Sequence, residues 1–208
     1  MAGKAFTKIS TVTLKGAGIT LEPLRQRHLA GLHKAAQSAD IWTYMAANLA
    51  DRKVLERWHE DARRLEKAGQ QLTFAIRLTR SATLIGSTRY LNIAPEHRRL
   101  EIGWTWLAPT EWGSRANTAA KLLLFQHAFE KLGAGRVELR TDALNVRARA
   151  AIARLGANEE GVLHRHMVMA QGRVRDTVQF AVIDEDWPRV KKSLKARLKG
   201  RSARSARQ

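Results

Sequence analysis

Two hydrophobic periods divide the chain. Near the start, "ITLEPL" (residues 19–24) alternates Ile19 and Leu21 with polar neighbours and ends at Pro23, which predicts a first strand. Residues 28–39 then place Leu29, Leu32 and Ala36 at helical spacing. Residues 51–67 do the same with Val54, Leu55, Trp58 and Leu65; Asp51 is the predicted N-cap and Gly69 the stop. From Leu72 the period changes to two. "LTFAIRL" (72–78), "TLIGSTRYLNI" (83–93) and "RRLEIGWTWL" (98–107) read as three successive strands with short connections, an antiparallel meander. The helical period returns over 117–132, with Leu122, Phe125, Phe129 and Leu132 on one face and Gly133 and Gly135 behind them. "RVELRTD" (136–142) is a fifth strand and 145–155 a helix closed by Gly156. Residues 160–169 and 173–183 are two more strands around a "QG" turn, and a last helix begins near Glu185. Neither an internal repeat nor a linker splits the chain. The economical reading is one α/β domain with about seven strands over residues 18–190, an extended arm over 1–17 and a basic helix end and tail over 191–208.

Composition adds little until charge is counted. With 208 residues, 44% hydrophobic and 27% charged, the chain can bury one full core. It has no cysteine, so disulfides, thiol catalysis and thiolate metal sites are excluded, and a reducing cytoplasm is the expected compartment. No apolar run approaches the roughly 20 residues of a bilayer span, and "MAGKAFTKIS" does not read as a signal peptide. The net charge, however, is +18, from 37 basic and 19 acidic side chains. Nine Lys or Arg and no acid lie between Arg189 and Arg207. That segment reads either as a solvated helix end or as a basic arm that touches RNA or the ribosome; the field as a whole favours anionic partners.

The candidate chemistry sits where the fourth strand turns into a helix, "LEIGWTWLAPTEWGSRANTAAK" (100–121). Alternation puts Leu100, Ile102, Trp104 and Trp106 on one face and Glu101, Gly103, Thr105 and Leu107 on the other. Glu101 reads either as a solvent-facing or Arg-paired carboxylate or as a base facing a cleft. The helix start after Gly113, Ser114 and Ala116 offers unpaired backbone N–H groups, with Arg115 adding positive charge, and such a turn suits phosphate. Neither GK[ST] nor GxGxxG is present. Elsewhere, His164 and His166 flank Arg165 without a third metal ligand and read as a polar strand face. Asp176 reads as ion-paired structure, and Trp104, Trp106 and Trp112 as core and wall. Ser114 lacks the His–Asp context of a nucleophile.

The order of these elements, with "LEIGWTWLAPTEWGSRANTAAKLLLFQHAFEKLGAGRVELRTDALNVRARAAIARLGA" and "EGVLHRHMVMAQGRVRDTVQFAVIDEDW" as its most specific stretches, resembles the GNAT superfamily of acetyl-CoA-dependent N-acetyltransferases over about residues 18–190. Within it the chain is similar to the Rim-type branch, whose named members acetylate N-termini of ribosomal proteins. The resemblance implies a mixed, mostly antiparallel sheet with helices on both faces and with the fourth and fifth strands splayed apart. It implies acetyl-CoA as cosubstrate, its pantetheine arm along Trp106, Leu107 and Ala108. Its pyrophosphate would sit over Ser114, Arg115, Ala116, Asn117 and Thr118, with Asn145 contacting the pantetheine arm and Glu101 as the base. Two positions depart from the family pattern. Arg115 stands where a small residue is usual. Ala148 stands where Ser is usual, and "RARAAIARLG" has no hydroxyl to protonate a leaving thiolate.

The reading that follows is direct acetyl transfer to a primary amine: a protein or peptide N-terminus first, a small amine second. No metal or membrane is needed, and a homodimer is compatible with the family's habit of pairing. The rival is a basic nucleic-acid- or ribosome-binding protein that keeps the fold without catalysis.

Overall fold

The computed structural model describes residues 5–169 and 172–205, with side chains through residue 200. A single sheet runs through it in the order β1(Leu14–Gly16), β2(Ile19–Pro23), β3(Leu72–Leu78), β4(Leu84–Ala94), β5(Arg99–Leu107), β6(Arg136–Asp142), β8(Val174–Ile183), β7(Asn158–Val168). Every neighbouring pair is antiparallel except β5 and β6. The helices are α1(Leu29–Ala35), α2(Arg52–Lys67), α3(Ala116–Gln126), α4(Val146–Ala153) and α5(Trp187–Ser205). None of them, among the described residues, is long and apolar enough to cross a membrane.

The sheet has eight strands where the pattern predicts about seven. The extra one, β1, lies in the arm and pairs Gly16 with Ile19 across a tight turn. Ala17 (φ 49°) and Gly18 (φ 86°) both take left-handed backbone, the geometry that lets a two-residue hairpin follow strand twist. Ala17 carries no turn signal in the sequence, so the hairpin goes unread. The helix predicted over 28–39 is shorter, because Trp42 Nε1 donates to the Ala36 carbonyl (2.8 Å) and closes the last turn early. Asp51 caps α2 as predicted, accepting from the amides of Lys53 and Val54. The helix predicted over 117–132 is α3 followed by a π-helical segment, His127–Leu132, that ends on Gly133 at φ 74°. In the turn after β7, Gln171 lies outside the described residues, as does Ala170; Gly172 donates to the Met169 carbonyl (2.8 Å). The backbone of α5 carries the basic segment on as helix to Ser205, with Leu194 and Leu198 buried; residues 206–208 lie outside the described residues.

Each face of the sheet buries its own core. On one, α3, α4 and α5 cover Leu100, Ile102, Val137 and Leu139, with Phe125, Phe129 and Trp187 stacked among themselves. On the other, α1 and α2 cover Ala75 and Trp106 with Leu29, Leu55 and Trp58.

β5 crosses between these environments at a bulge. Arg89 pairs with Gly103 and Ser87 with Trp106, so Trp104 and Thr105 together face Thr88. Trp104 takes φ 50°. The strict alternation expected of this strand therefore fails. Leu100 and Ile102 point to the α3 face, whereas Trp104 and Trp106 pack with the α1–α2 core. Across the ladder Gly86 (φ 157°) makes room: a Cβ there would sit 2.1 Å from the Trp106 carbonyl oxygen.

Trp187 ties α5 to α3 through its ring contacts and a hydrogen bond from Nε1 to Glu130 Oε1 (2.9 Å). Trp187→Ala is expected to cost about 3–5 kcal/mol. Urea unfolding monitored by circular dichroism measures it, and a loss below about 1 kcal/mol would show that α5 does not help hold the core.

Candidate active site

β5 and β6 run side by side for three residue pairs, Arg99↔Arg136, Leu100↔Val137 and Glu101↔Glu138, and then separate. Past Glu101 this edge of β5 has no strand beside it among the described residues. Gly86 pairs with Leu107 while Ala108 N donates to Ile85 O (2.8 Å). By the alternation of an antiparallel ladder, the N–H and C=O of Leu107 therefore point away from β4 and into the gap. The Leu107 carbonyl accepts from Trp112 Nε1 (2.9 Å). The gap, roofed by α3 and α4, is a cleft of about 610 Å3.

Glu101 stands at the fork, 5% exposed. Its Oε2 accepts from Asn92 Nδ2 (2.7 Å) and lies 3.5 Å from Arg140 Nε. Oε1 lies over Gly103, where a Cβ would come within 2.8 Å of it; only glycine leaves that space. Arg140 is shared, since it also pairs with Glu138 and donates to Gln179. Burial pushes the Glu101 carboxyl up, Arg140 and Asn92 pull against it, and the net displacement is upward. A buried, half-paired carboxylate with a raised pKa holds a proton more readily than a free one, as a base must.

Lys121, on α3, is the residue that sequence reading missed. It is 4% exposed and lines the cleft, and Nζ donates to Thr105 Oγ1 (2.7 Å), which shares a hydrogen bond with Thr88 Oγ1 (2.8 Å). Burial lowers its pKa to about 7, against the opposing pull of Glu101. A signal was available: Lys121 stands four residues before Phe125, on the helix face that carries the apolar stripe.

At the start of α3, Ser114 Oγ accepts from the Ala116 amide (3.0 Å). Geometry leaves the amides of Asn117 and Thr118 without a helical acceptor, and both residues line the cleft. Asn145 caps α4, with Oδ1 accepting from Ala148 N (3.0 Å), and its side-chain amide borders the same space. Of the residues assigned to the cofactor from sequence, Trp106, Leu107, Ser114, Asn117, Thr118 and Asn145 line the cleft along with Glu101. Ala108, Arg115 and Ala116 lie outside its wall: the Ala108 amide is taken by Ile85, and the Ala116 side chain packs in the core. Basic groups unmarked by any motif complete the mouth. Arg147 stacks on Trp112, 3.5 Å from the ring centroid, and Arg197 donates to the Arg154 carbonyl.

The remaining candidates fall to either side. Asp176 accepts from Arg165 N (2.7 Å) and shares a hydrogen bond with exposed His164. His166 meets Thr177 Oγ1 (3.0 Å) and borders the cleft. Among the described residues no group of three His, Asp or Glu could hold a metal.

The cleft fits a long anionic thioester: a slot between parted strands, free first-turn amides for phosphate and arginines at the mouth. Comparison with known proteins agrees. The acetyltransferase (GNAT) domain family matches residues 19–158. A GCN5-related N-acetyltransferase from Brucella melitensis is 31% identical, with 93% of this chain and 88% of that one covered, at a TM-score of 0.86. A T. thermophilus protein described as an acetyltransferase is 33% identical, covering 91% of this chain and 98% of that one, at 0.80. Mycobacterium smegmatis RimJ, solved in complex with CoA-disulfide, is 26% identical, covering 89% and 92%, at 0.74, in line with the Rim-type resemblance. No curated protein matches the chain. The chain belongs to the GNAT family of acetyl-CoA-dependent acetyltransferases.

Proposed function

We propose that the protein acetylates the N-terminal α-amine of a protein or peptide, with Glu101 as the base. The observation that carries this reading is the buried carboxylate at the fork of β5 and β6, beside a strand edge that no other strand covers. Bound acetyl-CoA supplies an activated acetyl thioester. Leu107, with its backbone turned into the gap, would hold the pantetheine arm, joined by Trp106 and Asn145; Ala108, its amide taken by Ile85, lies outside the wall. Ser114, Asn117 and Thr118 would receive the pyrophosphate at the start of α3, with Arg115 and Ala116 shaping that turn. Glu101, directly or through a water, takes the proton that the attacking amine gives up.

The choice of amine rests on ionisation. At pH 7.5 about a quarter of an α-amine is neutral, against about a thousandth of a lysine, from pKa values near 8 and 10.4. The amine that is more often neutral asks less of the carboxylate that takes its proton. The +18 charge fits docking on an acidic surface such as a ribosome, and similarity to RimJ supports the same direction. A small polyamine is the second candidate. A protein that only binds nucleic acid would leave a buried glutamate and a buried lysine in the cleft without employment, at a cost in stability.

Thiol release from acetyl-CoA should be faster with a free-N-terminal peptide than with the same peptide blocked at its N-terminus and carrying a lysine, or with a polyamine. Equal rates would refute the acceptor assignment. Glu101→Gln should lower kcat about 100-fold while calorimetric affinity for CoA stays within about twofold; undiminished turnover would show that another group is the base. Glu101 works deprotonated and its pKa is raised. The wild-type kcat/KM should therefore carry an acid limb that falls as pH drops through that raised value, a limb that Glu101→Gln abolishes.

A further inference from the structure

Helix α4 supplies no hydroxyl to the cleft, since it lines the cleft with Arg147, Ala148, Ala151 and Ile152. Yet amide formation expels a thiolate, whose departure is eased by a proton. One cleft group is built to give one. The Lys121 ammonium has three protons and, among the described residues, one acceptor, Thr105 Oγ1. No carboxylate lies within ion-pair distance of it among the described residues. Leaving donors of a buried cation unaccommodated is costly, unless a ligand meets them. Thr105 follows directly on the bulge residue Trp104, and Glu101 and Gly103 precede it on the same strand. Glu101 and Lys121 thus bracket the stretch of β5 that borders the open gap.

We propose that Lys121 is the group that protonates the departing thiolate of CoA. This rests on the acetyltransferase reading of the cleft. As the amine nitrogen bonds to the carbonyl carbon, Glu101 takes one amine proton. As the carbon–sulfur bond breaks with its electron pair on sulfur, Lys121 Nζ gives one proton to sulfur. The products are the amide, the CoA thiol, protonated Glu101 and neutral Lys121, and return of the proton from Glu101 to Lys121 through water resets the site. A carboxylate driven up and an amine driven down to about 7 in one cleft form a matched base and acid. Other charges face the same space: Arg140 from β6, Arg175 from β8 and His166 from β7. Only a comparison of variants isolates Lys121 from them.

The test needs no acceptor. Free-thiol CoA is bound to the full chain, and thiolate absorbance is followed against pH in wild type, Lys121→Met and Lys121→Arg. Below about pH 7, where Lys121 is still an ammonium, a cation facing sulfur should raise the bound thiolate fraction about tenfold over free CoA. Lys121→Met should lose that gain, and Lys121→Arg, a permanent cation, should keep it. With acetyl-CoA and a peptide, Lys121→Met should lower kcat about 100-fold with little change in CoA affinity, and the alkaline decline of kcat should disappear. A bound thiol that ionises like the free one, or identically in wild type and Lys121→Met, overturns the role of Lys121 and leaves the acetyltransferase reading intact. Failure of wild type to bind CoA at all would overturn that reading and this one together.

Discussion

The parting of β5 and β6 after three residue pairs is the constraint on which the site depends. Paired strands satisfy one another's backbone; parted strands leave donors and acceptors that something else must meet. The bulge at Trp104 places that opening where β5 is still tied to β4 on its other side. It also turns Trp106 into the α1–α2 core, where it packs against Trp42 with centroids 5.3 Å apart. One edge of β5 is thus held rigid while the other stays open. The helix starts of α3 and α4 then face the opening because the chain leaves β5 and β6 at their diverging ends.

The buried charges are the second consequence. A carboxylate and an ammonium that met directly would neutralise one another and lose their use in proton transfer. Here Glu101 is held by Asn92 and a shared Arg140, and Lys121 by a threonine hydroxyl. Glu138, the register partner of Glu101, shows the contrast. It is equally buried but surrounded by Arg99, Arg136 and Arg140, which makes it a structural anchor. Groups retained in a core at a cost in stability are expected at functional positions.

Much of this was legible from sequence, and the failures share a cause. The meander and the five helices follow from hydrophobic period, because burial on one face enforces it, and the mixed sheet from the family resemblance. What escaped was set by single residues whose neighbours override local preference. Ala17 takes left-handed backbone because the hairpin closes around it. Trp104 breaks the alternation because a bulge inserts one residue. Lys121 is passed over, although its place on the apolar stripe of α3 puts it inside. Strand alternation puts Glu101 on the face opposite Leu100 and Ile102, which leaves both a paired carboxylate and a cleft base open; how little countercharge it would have does not follow from it.

Calorimetric titration of acetyl-CoA into the protein at moderate salt, with ATP as a polyanion control, tests the central claim that the parted strands form a cofactor slot. Saturable one-to-one binding that ATP does not reproduce is the predicted result. Equal binding of both, or none of acetyl-CoA, would mean that the start of α3 is only a basic turn, and would contradict the account.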